Sequence, residues 1–314
     1  MRIGFMGTPD FARAHLEALV NAGHEVLFVL SRADKPVGRK KILTAPPVKE
    51  CALSFNIPVY QPESLKDGAI ADVLDQYKPE LIVVVAYGRI LPEYVLNYPK
   101  YGCINVHGSL LPKYRGASPV QSAIIDGEKE TGVTVMYMDK GLDTGDMILK
   151  KKCEIDIKDN QITLFEKLEK LGTEGLLEAI ELIESGNVKR EKQSEEDSNY
   201  ASILTSKTGH IDWEKDALSV HNLVRGTYPW PASYSYIDGA KFKITETEIV
   251  DKSGNPGEVI VSSPKEGLVI ACGSGAVKVL RLQAEGGKEM NAGDYLRGHS
   301  IDVGKVFEKY TEEA

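Results

Sequence analysis

Residues 80–85 read ELIVVV. Five consecutive large apolar side chains leave no polar face, so a strand made of them has to be covered on both sides. Strands of that kind belong to parallel sheets flanked by helices, and the surrounding segments agree. Residues 2–6 and 25–30 are short apolar runs. Between them, 10–22 has helical spacing, with Phe11, Ala14, Leu16, Ala18 and Leu19 on one face and Gly23 behind as a stop. A second helix is expected over 67–77, further strands over 103–106 and 132–138, and a long helix over 161–185. The alternation predicts an α/β domain over 1–187, built on a doubly wound and mostly parallel sheet.

The pattern then breaks. Residues 186–209 are polar and charged and read as a linker, placed at 188–208, with little core of its own. Beyond it, short β-rich runs at 233–236, 241–250, 257–261, 267–271 and 276–282 follow a helix candidate at 217–225. Gly, Pro, Asp and Ser separate these runs, which predicts a small barrel or sandwich over 209–314. Two domains suit 314 residues. The 42% hydrophobic and 27% charged fractions are those of a soluble globular chain, and no apolar run is long enough for a membrane span. The opening MRIGFMGTPDFA has no apolar core followed by a small-residue cleavage site, and reads as a strand entering a Gly-Pro turn. A net charge of −8 argues against indiscriminate nucleic-acid binding but leaves room for a local basic patch. Cys51, Cys103, Cys153 and Cys272 form no C-x-x-C pair and read as scattered core thiols in a reduced cytoplasm.

Two polar clusters interrupt the apolar pattern. In 102–116, GCINVHGSLLPKYRG, alternation along a strand puts Asn105 and His107 on one face. A lone histidine is more often structural than catalytic. An Asn–His pair at the end of a central strand is costly to bury unless hydrogen-bonded, which favours a chemical role. The second cluster, 138–146 (MDKGLDTGD), offers Asp139, Asp143 and Asp146, which periodicity does not rank. If 132–138 runs parallel to 103–106, the two following loops share one edge and Asp143 meets His107. A solvated acidic turn is the alternative. Asn, His and Asp together suit acyl-type transfer without a covalent enzyme intermediate. A serine nucleophile at Ser109 lacks the G-x-S-x-G elbow. Gly4 and Gly7 lack the spacing of a dinucleotide fingerprint and Pro9 follows them, so they read as a tight strand-to-helix turn.

The stretch Asn105-x-His107-x-Ser109-Leu110-Leu111-Pro112 with Arg115-Gly116, together with Gly141-Leu142-Asp143-Thr144-Gly145-Asp146, resembles the paired motifs of the formyltransferases that use 10-formyltetrahydrofolate. Residues 7–12 (GTPDFA), 34–48 (DKPVGRKKILTAPPV), 83–92 (VVVAYGRILP) and 228–231 (YPWP) are similar to the members of that family that act on initiator methionyl-tRNA. The resemblance covers nearly the whole chain. It implies a Rossmann-like catalytic domain and a C-terminal OB-like β-barrel. It implies Asn105, His107 and Asp143 as the catalytic set. Ser109, Leu110, Leu111 and Pro112 would hold the folate, and Tyr87, Gly88, Ile90 and Leu91 would wall its pocket. The implied reaction formylates the α-amine of methionyl-tRNA for translation initiation, in the cytoplasm, with no metal.

The residues themselves support a tRNA partner through a basic cluster in an acidic chain: Lys35, Arg39, Lys40 and Lys41, with Gly38 as a hinge. A solvated charge run is the plainer reading of such a cluster. Lys189, Arg190, Lys192 and Lys207 mark a second candidate tRNA-binding region, while Trp230, between two prolines, is expected to pack. A monomer is expected. Two rivals stand beside this reading. One is a formyltransferase for a small amine, such as an amino sugar nucleotide or glycinamide ribonucleotide, which needs neither the basic cluster nor the β-domain. The other is a non-catalytic RNA-binding module, which leaves the Asn–His–Asp coincidence unexplained.

Overall fold

The structure, a computed structural model, describes residues 1–38 and 40–309. It divides into two compact units: one from 1–116, 131–153 and 165–200, the other from 117–130, 154–164 and the chain from 201 on. In the first half of the chain the strands are β1 (Arg2–Gly7), β2 (Glu25–Leu30), β3 (Lys35–Val37), β4 (Ile42–Thr44), β5 (Val59–Tyr60), β6 (Leu81–Val85), β7 (Cys103–His107), β8 (Arg115–Gly116), β9 (Glu130–Tyr137) and β10 (Met147–Glu154).

Seven of them form the first unit's sheet, in the order β10-β9-β7-β6-β1-β2-β5. The pairs from β5 through β7 are parallel. All five residues of β6 are buried, as the ELIVVV run requires. On one side Met6, Phe28, Ile82 and Val84 pack with Leu65, Ile70, Leu74 and Val95. Gly7 ends β1 where an added Cβ would lie 2.7 Å from the Ala12 Cβ, so this glycine lets the following helix Asp10–Asn21 approach the strand. That is the tight turn expected of it.

One expectation is overturned. β9 is antiparallel to β7, with His107 opposite Thr134 and Ile104 opposite Tyr137. Strand direction depends on how the chain returns to the sheet, and an apolar run such as GVTVMY reads alike in both directions. β10 escaped prediction because its lysines (KKK) break the apolar run and only Met147 in it is buried.

His15, in the helix Asp10–Asn21, is fully buried, and its Nδ1–H donates to the Phe11 carbonyl at 2.6 Å. Burial lowers its pKa to about 4. The unfolded chain titrates near 6.5. The stability from holding the ring neutral is therefore complete above pH ~6.5 and is lost as pH falls through the folded value. The loss amounts to about 3 kcal/mol in all. Urea melts at pH 7.5 and pH 5 should differ less for His15→Leu than for the parent. An equal pH response in both would show that His15 does not govern acid stability.

The second unit carries β11 (Tyr200–Ala201) at its boundary, then β12 (Ser233–Ile237), β13 (Ala240–Val250), β14 (Val259–Ser263), β15 (Gly267–Ala271), β16 (Ala276–Ala284) and β17 (Met290–Asn291). β12 to β17 form an antiparallel sheet in the order β12-β13-β16-β15-β14, with β17 on β16. Its core joins Ile244, Ile270, Val277 and Val279 to Val220 and Val224 of the helix Ala217–Thr227. The Asp216 side chain caps that helix by accepting from the Ser219 N–H at 2.8 Å. Trp213 is the aromatic centre of this core, and its indole N–H donates to Ser235 Oγ at 3.0 Å. Trp230, expected to pack, is instead 59% exposed. It sits in a turn closed by the Ala232 N–H on the Thr227 carbonyl (2.9 Å), outside a core that Trp213 already fills.

Two further segments differ from expectation. Residues 34–48, read as a loop, contain the β3–β4 hairpin. The stretch read as a linker is tied down from its start: Glu191 and Met147 exchange both backbone hydrogen bonds at 2.8 and 2.9 Å. Backbone pairing of this kind leaves no mark in hydropathy. None of the four cysteines is disulfide-bonded; Cys51, Cys103 and Cys272 are buried and Cys153 is half-buried. Burial pushes the Cys103 thiol up to about 12, so it is inert. Among the described residues no helix is long and apolar enough to cross a membrane.

Candidate active site

From β1 the chain builds outward through β2 to β5 and then returns to β6 on the other side of β1. The carboxyl ends of β1 and β6 are therefore where the following loops diverge, the place at which open α/β sheets bind ligands. β7 runs parallel to β6 and ends at this edge with His107. Asn105, two residues earlier on the same face, and His107 are both more than nine-tenths buried.

The His107 Nε2–H donates to the Tyr114 carbonyl at 2.8 Å. A carbonyl only accepts, so the proton rests on Nε2 and the Nδ1 edge is turned to the Asp143 carboxylate, with Oδ2 at 3.7 Å. That separation is too long for a hydrogen bond but sets a negative charge directly beside the ring. Asp143 Oδ2 also accepts from the Gly116 N–H at 2.8 Å. The structure thus ranks the three acidic candidates. Asp139 accepts from the Gly141 N–H and the Thr144 hydroxyl at 2.9 and 2.7 Å and shapes the loop. Asp146 gives its carbonyl to the Tyr137 N–H at 2.8 Å, closing β9 onto β10. Asp143 reaches His107 because its backbone is left-handed, φ 56°, which is uncommon away from glycine and aims the side chain back across the loop. Parallel strands are not the cause.

Four residues that sequence reasoning passed over hold this geometry. Gln193 donates from Nε2 to the carbonyls of Asp143 and Gly145, both at 2.8 Å. Its Oε1 accepts from Nε of the buried Arg115 at 3.0 Å. Asn199 accepts the Tyr114 N–H on Oδ1 and the Arg115 N–H, at 2.9 Å, on its main-chain carbonyl. Thr134 donates to the Ser109 carbonyl at 2.7 Å and accepts the Leu111 N–H at 3.0 Å. Arg115 stood inside a quoted motif. Gln193 and Asn199 lie in a polar stretch with no periodic signal.

The remaining predicted residues fall as follows. Ser109 is buried, and its hydroxyl donates to the Lys113 carbonyl at 2.6 Å, so it builds the turn that carries Leu110, Leu111 and Pro112. Tyr87 and Leu91 belong to the core beside β6, whereas Ile90 between them is 80% exposed. The Gly88 carbonyl accepts from Arg32 at 3.3 Å. Lys35 opens β3, and Lys40 and Lys41 occupy the hairpin turn, all exposed. Arg39 lies outside the described residues. Lys207, also exposed, is on the short 3₁₀ turn Ser206–Gly209 of the second unit. The Arg190 guanidinium, exposed like Lys189, stacks on the Tyr137 ring at 3.9 Å. Among the described residues no group of three or more His, Cys, Asp or Glu side chains is placed to hold a metal ion.

Residues 1–180 match the Formyl transferase family, and 203–300 match the formyl transferase C-terminal domain. The methionyl-tRNA formyltransferase of Caldanaerobacter subterraneus subsp. tengcongensis is 48% identical over 98% of this chain and 99% of its own. That of Acetivibrio thermocellus is 47% identical over 98% and 99%. The chain belongs to the methionyl-tRNA formyltransferase family. Solved structures share the fold of this formyltransferase at lower identity. The sugar 3N-formyl transferase WlaRD aligns with a TM-score of 0.67 at 20% identity over 92% of this chain and 99% of that one. HypX from Aquifex aeolicus, in complex with tetrahydrofolic acid, aligns with a TM-score of 0.66 at 20% identity. The formyltransferase spans about half of that longer chain, 52%, with 99% of its own length covered.

Proposed function

We propose that this formyltransferase transfers the formyl group of 10-formyltetrahydrofolate to the α-amine of initiator methionyl-tRNA, in the cytoplasm, as a monomer. The observation that carries the reading is the meeting of Asn105, His107 and Asp143 at the ligand-binding edge of the sheet. The near full-length likeness to methionyl-tRNA formyltransferases supports the choice of acceptor. The folate supplies an electrophilic formyl carbon whose bond to N10 breaks as its bond to the methionyl nitrogen forms. The turn Ser109–Pro112, held on Thr134, and the exposed Ile90 suit a flat heterocycle.

The residues divide the work as follows. Asn105 donates its amide N–H to the formyl oxygen as negative charge develops there. His107, protonated on Nδ1 and supported by Asp143, offers a second donor to that oxygen. The Asp143 carboxylate receives the proton that the amine sheds, and His107 delivers one to the departing N10, so no net proton is lost. Nε2 stays committed to the Tyr114 carbonyl throughout, which keeps the ring from turning.

Lys35, Lys40 and Lys41 on the exposed hairpin, with Arg39, take the tRNA backbone. The overall −8 charge opposes the approach of a polyanion, so a local patch has to attract it. Replacing Arg39, Lys40 and Lys41 by alanine should raise KM for methionyl-tRNA and leave folate affinity unchanged. The log–log salt dependence should flatten by about 0.7–0.9 for each phosphate that is no longer neutralised. Steady-state kinetics at two salt concentrations, with methionyl-tRNA, free methionine and an amino sugar nucleotide as acceptors, check this. Transfer to the small amines but not to the tRNA would sink the reading.

A further inference from the structure

We infer that Gln193 is a positioning residue for the formyl transfer, clamping the Asp143 loop at its catalytic geometry from a segment that otherwise reads as a linker. The inference rests on the proposed roles of His107 and Asp143. Gln193 is chemically fixed in orientation. The Arg115 Nε–H can only donate, so the Gln193 Oε1 must face it at 3.0 Å. That leaves the two amide hydrogens for the carbonyls of Asp143 and Gly145, each 2.8 Å away and able only to accept. No other arrangement satisfies all three partners.

Arg115 is equally constrained. It is fully buried, and its two terminal nitrogens pair with both oxygens of Glu195 at 3.0 and 2.9 Å. The Arg115 guanidinium holds the Glu195 carboxyl below the usual carboxylate range. The clamp therefore hangs from a bidentate ion pair and ends on the carbonyls of the two residues that flank Thr144.

The segment also grips the other side of the imidazole. Asn199 Oδ1 accepts the N–H of Tyr114, whose carbonyl in turn accepts from His107 Nε2. Gln193 thus sets the partner of Nδ1 and Asn199 the partner of Nε2. Asp143 needs such support because a left-handed backbone (φ 56°) on a non-glycine residue is strained and persists only where its surroundings enforce it.

The test uses the full chain carrying Gln193→Ala or Gln193→Glu, beside the parent and His107→Ala. Gln193→Glu keeps the acceptor for Arg115 and replaces the two donors by a carboxylate oxygen facing two carbonyls. Expected is a 10- to 100-fold fall in kcat for both Gln193 variants, with KM for tRNA and folate within about threefold of the parent. For Gln193→Glu, the kcat ratio to the parent should climb as pH drops through the carboxyl's titration, because the protonated form regains one donor. A merely structural role does not move that ratio. A kcat within twofold of the parent overturns the inference, as does a fall in kcat that both KM values and the melting temperature follow. If His107→Ala is inactive while the Gln193 variants are normal, the clamp alone is refuted. If His107→Ala is itself active, the underlying catalytic reading fails.

Discussion

Replacing His107 by alanine is expected to lower kcat by about 10²–10⁴-fold, the range for a positioned general acid/base. The fold should survive, since the ring makes one side-chain hydrogen bond, to the Tyr114 carbonyl, and lies at the end of β7 rather than in its middle. Asp143→Asn should be nearly as severe for a different reason. The amide oxygen still accepts from the Gly116 N–H, so the loop keeps its anchor, but the charge facing His107 Nδ1 at 3.7 Å is gone. The imidazolium then loses its support, and the shed amine proton has no carboxylate to receive it. Single-turnover formylation of methionyl-tRNA reads the chemical step directly. Near-parent turnover by either variant would remove His107 and Asp143 from the chemistry.

Gly145→Ala is expected to lower kcat by about 10²-fold without any change in a reacting group. A Cβ at Gly145 would lie 1.9 Å from the Tyr137 carbonyl oxygen and 2.9 Å from its carbon, both backbone atoms of β9. Heavy atoms in ordinary contact lie about 3.5 Å apart, so the loop has to move by more than about 1 Å. Neither neighbour can yield, because Tyr137 is the end of a paired strand. Asp143 is two residues away and the Gln193 bond to the Gly145 carbonyl is in the path of the shift. A displacement of about 1 Å at a reacting group is worth about 10² in rate. Steady-state kinetics with a thermal melt decide the matter: kcat should fall with KM for folate nearly unchanged. Parent-like kcat would mean that the loop tolerates the movement and that its position is not critical.

The sequence by itself determined the type of the longer apolar elements, though not of β10 or the β3–β4 hairpin, and singled out the polar residues proposed for the chemistry. Burial on both faces forces an unbroken apolar run such as LIVVV in β6, and a polar pair such as Asn105 and His107 is costly to bury unless it is hydrogen-bonded. Both features belong to single segments, and side-chain periodicity reports the surroundings of a single segment well. It was also enough to separate a long-helix α/β half from a short-strand half. Only the tertiary structure decided how the segments meet. Its antiparallel β9 is invisible to periodicity, because alternation looks the same from either end of a strand. The choice of Asp143 over Asp139 and Asp146 turns on one left-handed backbone angle and one 2.8 Å bond to Gly116. The grip of Gln193 on that loop, 50 residues away along the chain, joins a polar side chain to main-chain carbonyls. Carbonyl groups are the same at every position, so no pattern of residue types announces which of them will be held.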